Sequence, residues 1–337
     1  MHHLSQMRAA PSIDIQFQPL NPRLSGPLQV LQRIKFLRTI ATGLLYYFQL
    51  LCRVWRFDMV HMFSAGQYSY TLWTIPALLI SKMYRKTFIL NYHDGRAEDH
   101  LKWKTAEPTL RMADVILSPS DYVVKVFGER GIAARRIYNT LDPTSFIYRR
   151  RRKLRPVFLT NRILEPLYNV DCVLRAFAIV QKNYPEASLT IAHDGISRPG
   201  LEQLARDLGL ANTRFIGRVP HKKIPEVYDA ADIYVTSPNF DCMPGSLLEC
   251  FCSGLPVIAT AVGGIPYILE HERTGLLVSR NDHEAMAACA IRLLEDPDLV
   301  EYLTANARAE IERYSADRIG REWVSLYKEM ASPRTES

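Results

Sequence analysis

Asp241 and Glu249 are separated by seven residues and a Pro-Gly break, in the run Ser237-Pro238-Asn239-Phe240-Asp241-Cys242-Met243-Pro244-Gly245-Ser246-Leu247-Leu248-Glu249. Carboxylates are poor partners for phosphate but good acceptors for sugar and ribose hydroxyls. Pro238, Pro244 and Gly245 predict a loop with free backbone amides, and Ser246–Cys252 reads as the helix it feeds. Such a helix start offers N–H donors and a positive dipole end to a phosphate or sugar oxygen. Gly254 and Pro256 close the helix, and Val262-Gly263-Gly264-Ile265-Pro266 supplies a second glycine loop leading into another helix. The chemistry these residue types support is the grip of a ligand rich in hydroxyls and phosphate.

The loop follows an apolar run, Ile233–Thr236, and that pattern recurs along the chain. Candidate strands are Ile13–Phe17, Met59–Phe63, Thr87–Tyr92 and Asp114–Ser118, then Val157–Thr160, Ser188–Ala192, Thr213–Ile216, Ile233–Thr236, Val257–Thr260 and Gly275–Val278. Helical segments separate most of them. This alternation predicts the α/β class, with two Rossmann-like doubly wound parallel domains. Ligands of such folds lie beyond the carboxyl ends of the strands. The expected division is a domain over 1–150, a linker over 151–156, a second domain over 157–318, and a C-terminal helix over 319–337 packing back on the first domain.

The 337 residues carry a net charge of +7, unevenly distributed. Residues 1–155 hold 24 Lys and Arg against 10 Asp and Glu, and the remainder holds 18 against 25. Two domains with different partners follow. Arg149-Arg150-Arg151-Arg152-Lys153 reads as a solvated linker, or else as a patch for anionic lipid or ligand phosphate. Nucleic acid is not expected, since no matching fold signature or interleaved aromatic platform occurs. A hydrophobic content of 47% excludes disorder, and six cysteines are too few for a disulfide scaffold.

No run reaches the roughly 20 apolar residues of a membrane span. Leu31–Trp55 is amphipathic, with Leu31, Ile34, Leu37, Ala41, Leu44, Leu45, Phe48 and Trp55 at helical spacing. It reads as a helix packed on a core, or else as one lying on a membrane. Met1-His2-His3-Leu4 lacks the hydrophobic stretch of a signal peptide. The expected place is the cytoplasm, with reduced thiols, including a peripheral position on the inner face of the membrane.

Asp241, Glu249, Ser253-Gly254-Leu255-Pro256-Val257 and Gly263-Gly264 together resemble the donor-site signature of glycosyltransferase family 4, retaining enzymes of the GT-B fold. The likeness extends through Asn91–Gly95, Leu189–Gly195, Arg214–Gly217, Tyr228–Asp232 and Thr274–Val278 as an ordered set. It implies two domains facing a cleft. It implies that Glu249 holds the nucleotide ribose, that Asp241 contacts the donor sugar and that Arg162 holds the diphosphate. His93 and Asp241 are the implied catalytic residues, with His93 near the reaction centre. Gly217 keeps the backbone close to the nucleotide, and Met243, Pro244, Gly245 and Ser246 complete the donor site.

The implied reaction moves a sugar from a UDP- or GDP-linked donor to a hydroxyl of a glycan or lipid-linked acceptor, through an oxocarbenium-like state. Surface polysaccharide or glycolipid synthesis is the implied setting. No cofactor and no metal is implied, the nucleotide-sugar being a substrate. The implied partners are that donor, the acceptor, and an anionic membrane surface met by the basic first domain.

Three features depart from the family pattern. Leu167 stands where a lysine is usual, five residues after Arg162, which removes a cation and a few kcal/mol of transition-state stabilisation from a diphosphate site. Lys222 and Lys223 are the candidate substitutes. Asp241 stands where glutamate is usual, which shortens its reach. An opening strand and glycine loop are usual before the segment Ile13–Phe17, so the first domain is expected to lack them. These departures keep open a non-catalytic GT-B binding protein. A sugar-nucleotide epimerase is a further alternative, disfavoured by the Asp241–Glu249 signature.

Overall fold

The computed structural model describes residues 14–22 and 34–331. They form two compact units, one within Met1–Tyr138 and Ile319–Ser337, the other Asn139–Arg318. Both are parallel α/β units. The first holds strands β1 (Met59–Ser64), β2 (Thr87–Tyr92), β3 (Val115–Ser118) and β4 (Arg135–Arg136), in the order β1-β2-β3-β4. Phe88, Ile89, Leu90 and Leu117 are buried, the near-continuous apolar pattern of parallel strands. Helix α1 (Lys35–Arg53) precedes β1, and α2 (Ile75–Met83) links β1 to β2. Ile319 and the residues after it, in the final helix Ala316–Ala331, belong to this unit. There Tyr327 Oη lies 2.7 Å from His61 Nδ1, and Glu329 pairs with Arg135 at 2.7 Å.

One expectation fails in this unit, and a second is met through other residues. Residues 14–19 form no strand, although Ile13–Phe17 alternates like one; Ile13 lies outside the described residues. Side-chain bonds to α1 stand where a ladder would be: Gln18 Nε2 donates to Gln49 Oε1 at 2.5 Å, and Arg53 Nη1 donates to Gln18 Oε1 at 3.2 Å. The second concerns α1 itself. Its buried face is Thr42, Tyr46, Leu50 and Val54, four residues apart, whereas Leu37, Leu44, Phe48 and Trp55 are exposed. The helix carries two apolar stripes, and periodicity alone does not say which one the core takes.

The second unit holds β5 (Val157–Thr160), β6 (Ser188–Ala192), β7 (Thr213–Gly217), β8 (Ile233–Thr236), β9 (Val257–Thr260) and β10 (Leu276–Val278), in the order β10-β9-β8-β5-β6-β7. The chain steps outward from β5 to β7, then returns to the other side of β5 for β8. The sheet therefore reverses between β5 and β8, which opens a crevice at their carboxyl ends. Helices α3 (Val170–Asn183), α4 (Arg198–Asp207), α5 (Ile224–Ala230), α6 (Gly245–Ser253) and α7 (His283–Glu295) connect or cover the strands. Phe158, Leu189, Val235 and Ile258 of the sheet pack with Val173 and Phe177 of α3 and Met286 of α7 in one core.

Residues 151–156 are built into this second unit and are not a linker. Arg151 is 3% exposed, and its guanidinium donates to the carbonyl oxygens of Ser253, of Tyr228 at 3.2 Å and of Ala231 at 3.0 Å. Those carbonyls end α5 and α6, where a helix dipole favours a cation. Burial, with the nearby charge of Arg149, lowers the Arg151 pKa to about 10. Asp232 is 2% exposed and accepts from Arg149 Nη2 at 2.5 Å and from Arg155 Nε at 2.9 Å. Burial raises the Asp232 pKa, but the hydrogen bonds from Arg155 and Arg149 outweigh it and hold the carboxyl below its usual value.

Asp232 Oδ1 also lies 3.6 Å from Nε of the buried Arg151, so Asp232→Ala, which leaves that guanidinium with carbonyl partners but without this carboxylate, should cost about 3–5 kcal/mol in urea unfolding at neutral pH. A carboxyl with a depressed folded pKa stabilises above its unfolded pKa and loses that contribution as pH falls through the folded value. The difference between parent and variant should therefore shrink in acid.

Candidate functional site

The crevice between β5 and β8 is where most of the sequence-derived residues meet. Arg162 follows β5, and Asp241 lies on the loop after β8. Arg162 Nη2 donates to Asp241 Oδ2, and Arg162 Nη1 donates to Ser246 Oγ at 3.3 Å. Both charged side chains are largely buried, 15% and 12% exposed. The guanidinium also lies over the Tyr168 ring, 4.5 Å from its centroid. Burial opposes the charge on Arg162, but Asp241 outweighs it and holds the pKa above the usual value. Burial pushes the Asp241 carboxyl up, against the pull of Arg162.

Pro244 caps α6, Gly245 is its first residue, and Glu249 lies one turn further on. Glu249 Oε2 accepts from Tyr228 Oη at 2.6 Å. Tyr228 Oη in turn accepts from Asn161 Nδ2 at 2.7 Å, and Tyr234 Oη donates to Asn161 Oδ1 at 2.7 Å. The two tyrosines are fully buried. A polar chain thus runs from β8 through the β5 loop to α6 and fixes one oxygen of Glu249 as an acceptor. Burial raises the Glu249 pKa, with the Tyr228 hydrogen bond working against it.

The second glycine loop supports the first. Gly263 has φ +53°, and a Cβ there would lie 2.3 Å from the Asp241 carbonyl oxygen. Gly264 N donates to that same oxygen at 2.9 Å. Only a 3-10 turn, Ile265–Tyr267, follows, in place of the expected helix. The segment containing Leu167 is stitched to the β8 loop: Asn239 N donates to Leu167 O at 2.8 Å, and Ser237 Oγ donates to Asn169 O at 2.7 Å. Lys222 and Lys223 stand exposed on the turn after β7, beside His221, whose charge acts on Glu249.

Arg162, Asp241, Pro244, Gly245, Ser246 and Glu249 are therefore brought together, with Met243 buried beneath the loop. Gly217 ends β7 with φ +72° and accepts from His193 N at 2.8 Å, beside Arg198. His93 belongs to the first unit, at the carboxyl end of β2, where its N–H donates to Ser64 O at 2.8 Å. Sequence reasoning missed Asn161, Tyr168, Arg198 and His221, and quoted Tyr228 without a role. Asn161 adjoins Arg162, which was the available signal; its partner Tyr228 is 67 residues away. Asp296-Pro297-Asp298 spells an Asp-x-Asp, but Asp296 caps the helix Pro297–Glu310 and Asp298 pairs with Arg152. The site offers buried cation, carboxylate acceptors and helix amides to one ligand.

The family described as Glycosyl transferases group 1 matches residues 147–310. An uncharacterized glycosyltransferase of Methanocaldococcus jannaschii is 31% identical over 161 residues, 47% of this chain and 41% of that protein. A D-inositol 3-phosphate glycosyltransferase of Corynebacterium urealyticum is 29% identical over 175 residues, 50% of this chain and 41% of that one. The match thus spans about two fifths of the length of these relatives. The crystal structure of Anabaena HepE in complex with UDP has a TM-score of 0.73 at 16% identity, covering 91% of this chain and 90% of that one, a likeness of fold.

Because burial raises the Glu249 pKa above that of the unfolded chain, ionising this carboxyl weakens the fold as pH rises through the carboxylate range. Glu249→Gln should therefore be more stable than the parent at neutral pH, with the gap closing in acid. Urea midpoints taken across that range check this, and a gap independent of pH would count against it.

Proposed function

Because residues 147–310 match the family described as Glycosyl transferases group 1, we propose that this chain is a retaining glycosyltransferase. Its donor is a UDP- or GDP-linked sugar, and its acceptor is a hydroxyl of a glycan or lipid-linked glycan. The observation that carries the reading is the convergence of Arg162 and Glu249 on the first turns of α6, at the reversal between β5 and β8. The UDP bound in the Anabaena structure supports a nucleotide donor.

In this mechanism Glu249 accepts hydrogen bonds from the ribose, and Arg162 with the α6 amides holds the diphosphate. Asp241 orients the sugar hydroxyls, and Gly217 lets the backbone approach the nucleotide. The glycosidic bond opens through an oxocarbenium-like state, while fixed donors stabilise the departing diphosphate. The acceptor hydroxyl loses its proton to that leaving group and attacks the same face of the sugar. No cofactor or metal takes part in this reading. It implies a cytoplasmic enzyme working at the inner face of a membrane, in polysaccharide or glycolipid synthesis. The basic balance of residues 1–138, 18 Lys and Arg against 9 Asp and Glu, supports that setting. Among the described residues no helix is long and apolar enough to cross a membrane.

Leu167 favours a second reading, a protein that binds the donor without turning it over. One panel separates the two: thermal shift and nucleoside diphosphate release with UDP- and GDP-sugars. Arg162→Ala should lower kcat by about 10²–10³, and Glu249→Ala should abolish donor binding. Leu167→Lys should raise kcat by about tenfold or more, by restoring a cation at the leaving group. Turnover unchanged in Glu249→Ala would overturn the site. Donor binding by the parent with no release, and none in Leu167→Lys, would establish the binding protein.

A further inference from the structure

The stripe that α1 turns away from its core is the largest unexplained feature of the first unit. Ile40 is 60% exposed, Leu44 64% and Phe48 63%, with Leu37, Leu51 and Trp55 on the same run. Alongside, the helix through α2 exposes Leu72, Leu79 and Met83 at its own helical spacing. Two hydrogen bonds tie the helices together: Tyr47 Oη donates to Leu72 O at 2.6 Å, and Tyr84 Oη donates to Leu51 O at 2.9 Å. Large apolar side chains grouped in this way mark an interaction surface.

Its charge says what kind of partner fits. Between Asp14 and Asp58 the sequence has six Lys or Arg and no Asp or Glu. Arg38, Arg53 and Arg56 are exposed beside the stripe, and the Arg56 guanidinium lies over the Trp55 ring, 5.0 Å from its centroid. A second copy meeting this stretch face to face would set arginine against arginine with no carboxylate to answer it. A lipid surface with anionic headgroups answers both properties: acyl chains for the leucines and phenylalanine, phosphates for the arginines, and an interfacial level suited to Trp55. We propose that α1, with the neighbouring helix α2, is a docking face for an anionic lipid bilayer, lying in its plane. This deepens the membrane setting of the proposed function by naming the face and the lipid charge, and it can be tested without donor or acceptor.

The test is sedimentation of the full chain with vesicles of phosphatidylcholine alone and of phosphatidylcholine with about 30% phosphatidylglycerol. Binding to the anionic vesicles should be at least about tenfold tighter and should weaken several-fold in high salt. Leu44→Asp with Phe48→Asp should lower it by about a hundredfold, and Arg53→Glu with Arg56→Glu by about thirtyfold. All four side chains are exposed, so circular dichroism and the thermal shift with UDP should match the parent. Equal binding to neutral and anionic vesicles would overturn the proposal. So would a parent that ignores both vesicles, including one that forms a dimer broken by Phe48→Asp. Loss of the UDP response with vesicle binding intact would instead strike the donor site alone.

Discussion

The contact between Arg162 and Asp241 is the constraint around which the second unit is arranged. A guanidinium and a carboxylate held this far from water are each expensive alone and tolerable only in close register. That register needs β5 and β8 to be neighbours, although about 70 residues of chain separate them, and the return across the sheet supplies this. It also needs the Asp241 loop to stay still. Gly264 holds the Asp241 carbonyl, Gly263 allows the approach, and Asn239 is fastened to Leu167. Under the proposed function, an anionic ligand arriving here would exchange one negative partner of Arg162 for another. It meets a cation already oriented by Tyr168 and Ser246, so little reorganisation remains for the binding step.

The same geometry explains why some of the site could be read from sequence and some could not. Asp241, Glu249 and the Pro-Gly break lie within one loop and one helix, so their spacing carries their relation. Arg162 came from the family resemblance, and its place after an apolar strand agrees with where such folds keep their ligands. Asn161 and Tyr228 form a pair through the third dimension only, and neither has a neighbour in sequence that hints at the other. Most parallel strands of both units were legible because buried parallel strands are short, almost wholly apolar runs; β4, two exposed arginines, carries no such pattern. The segment Ile13–Phe17 has the alternation of a strand, yet alternation becomes a strand only where a ladder is made, and its side chains bond to α1 instead.

The arginine run shows the limit of composition more sharply. Five consecutive cations read as solvent-exposed linker because burying such a group ordinarily costs too much. The cost is offset where carbonyl oxygens converge. The ends of α5 and α6 present Tyr228, Ala231 and Ser253 to Arg151, and Asp232 answers Arg149 and Arg155. None of this is visible along the chain, since the acceptors come from two helices some 75 to 100 residues downstream. The consequence for the charge balance is direct: much of the positive charge near residue 150 is neutralised locally and creates no outward field.

The remaining excess of positive charge then belongs to the earlier part of the chain, where α1 and its flanks hold no acid at all. There the same elementary rule works in the opposite sense. In the second unit, cations lie inward because oxygens wait for them; in α1, apolar side chains lie outward with arginines beside them, and among the described residues no surface of the unit receives them. Tyr46, Leu50 and Val54 already satisfy the core, so the second stripe adds nothing to the stability of the unit in water. Leaving Ile40, Leu44 and Phe48 exposed carries a solubility cost that is removed only by burial against something else. A helix with one face given to its own fold and the other to an apolar, anionic layer satisfies both constraints at once.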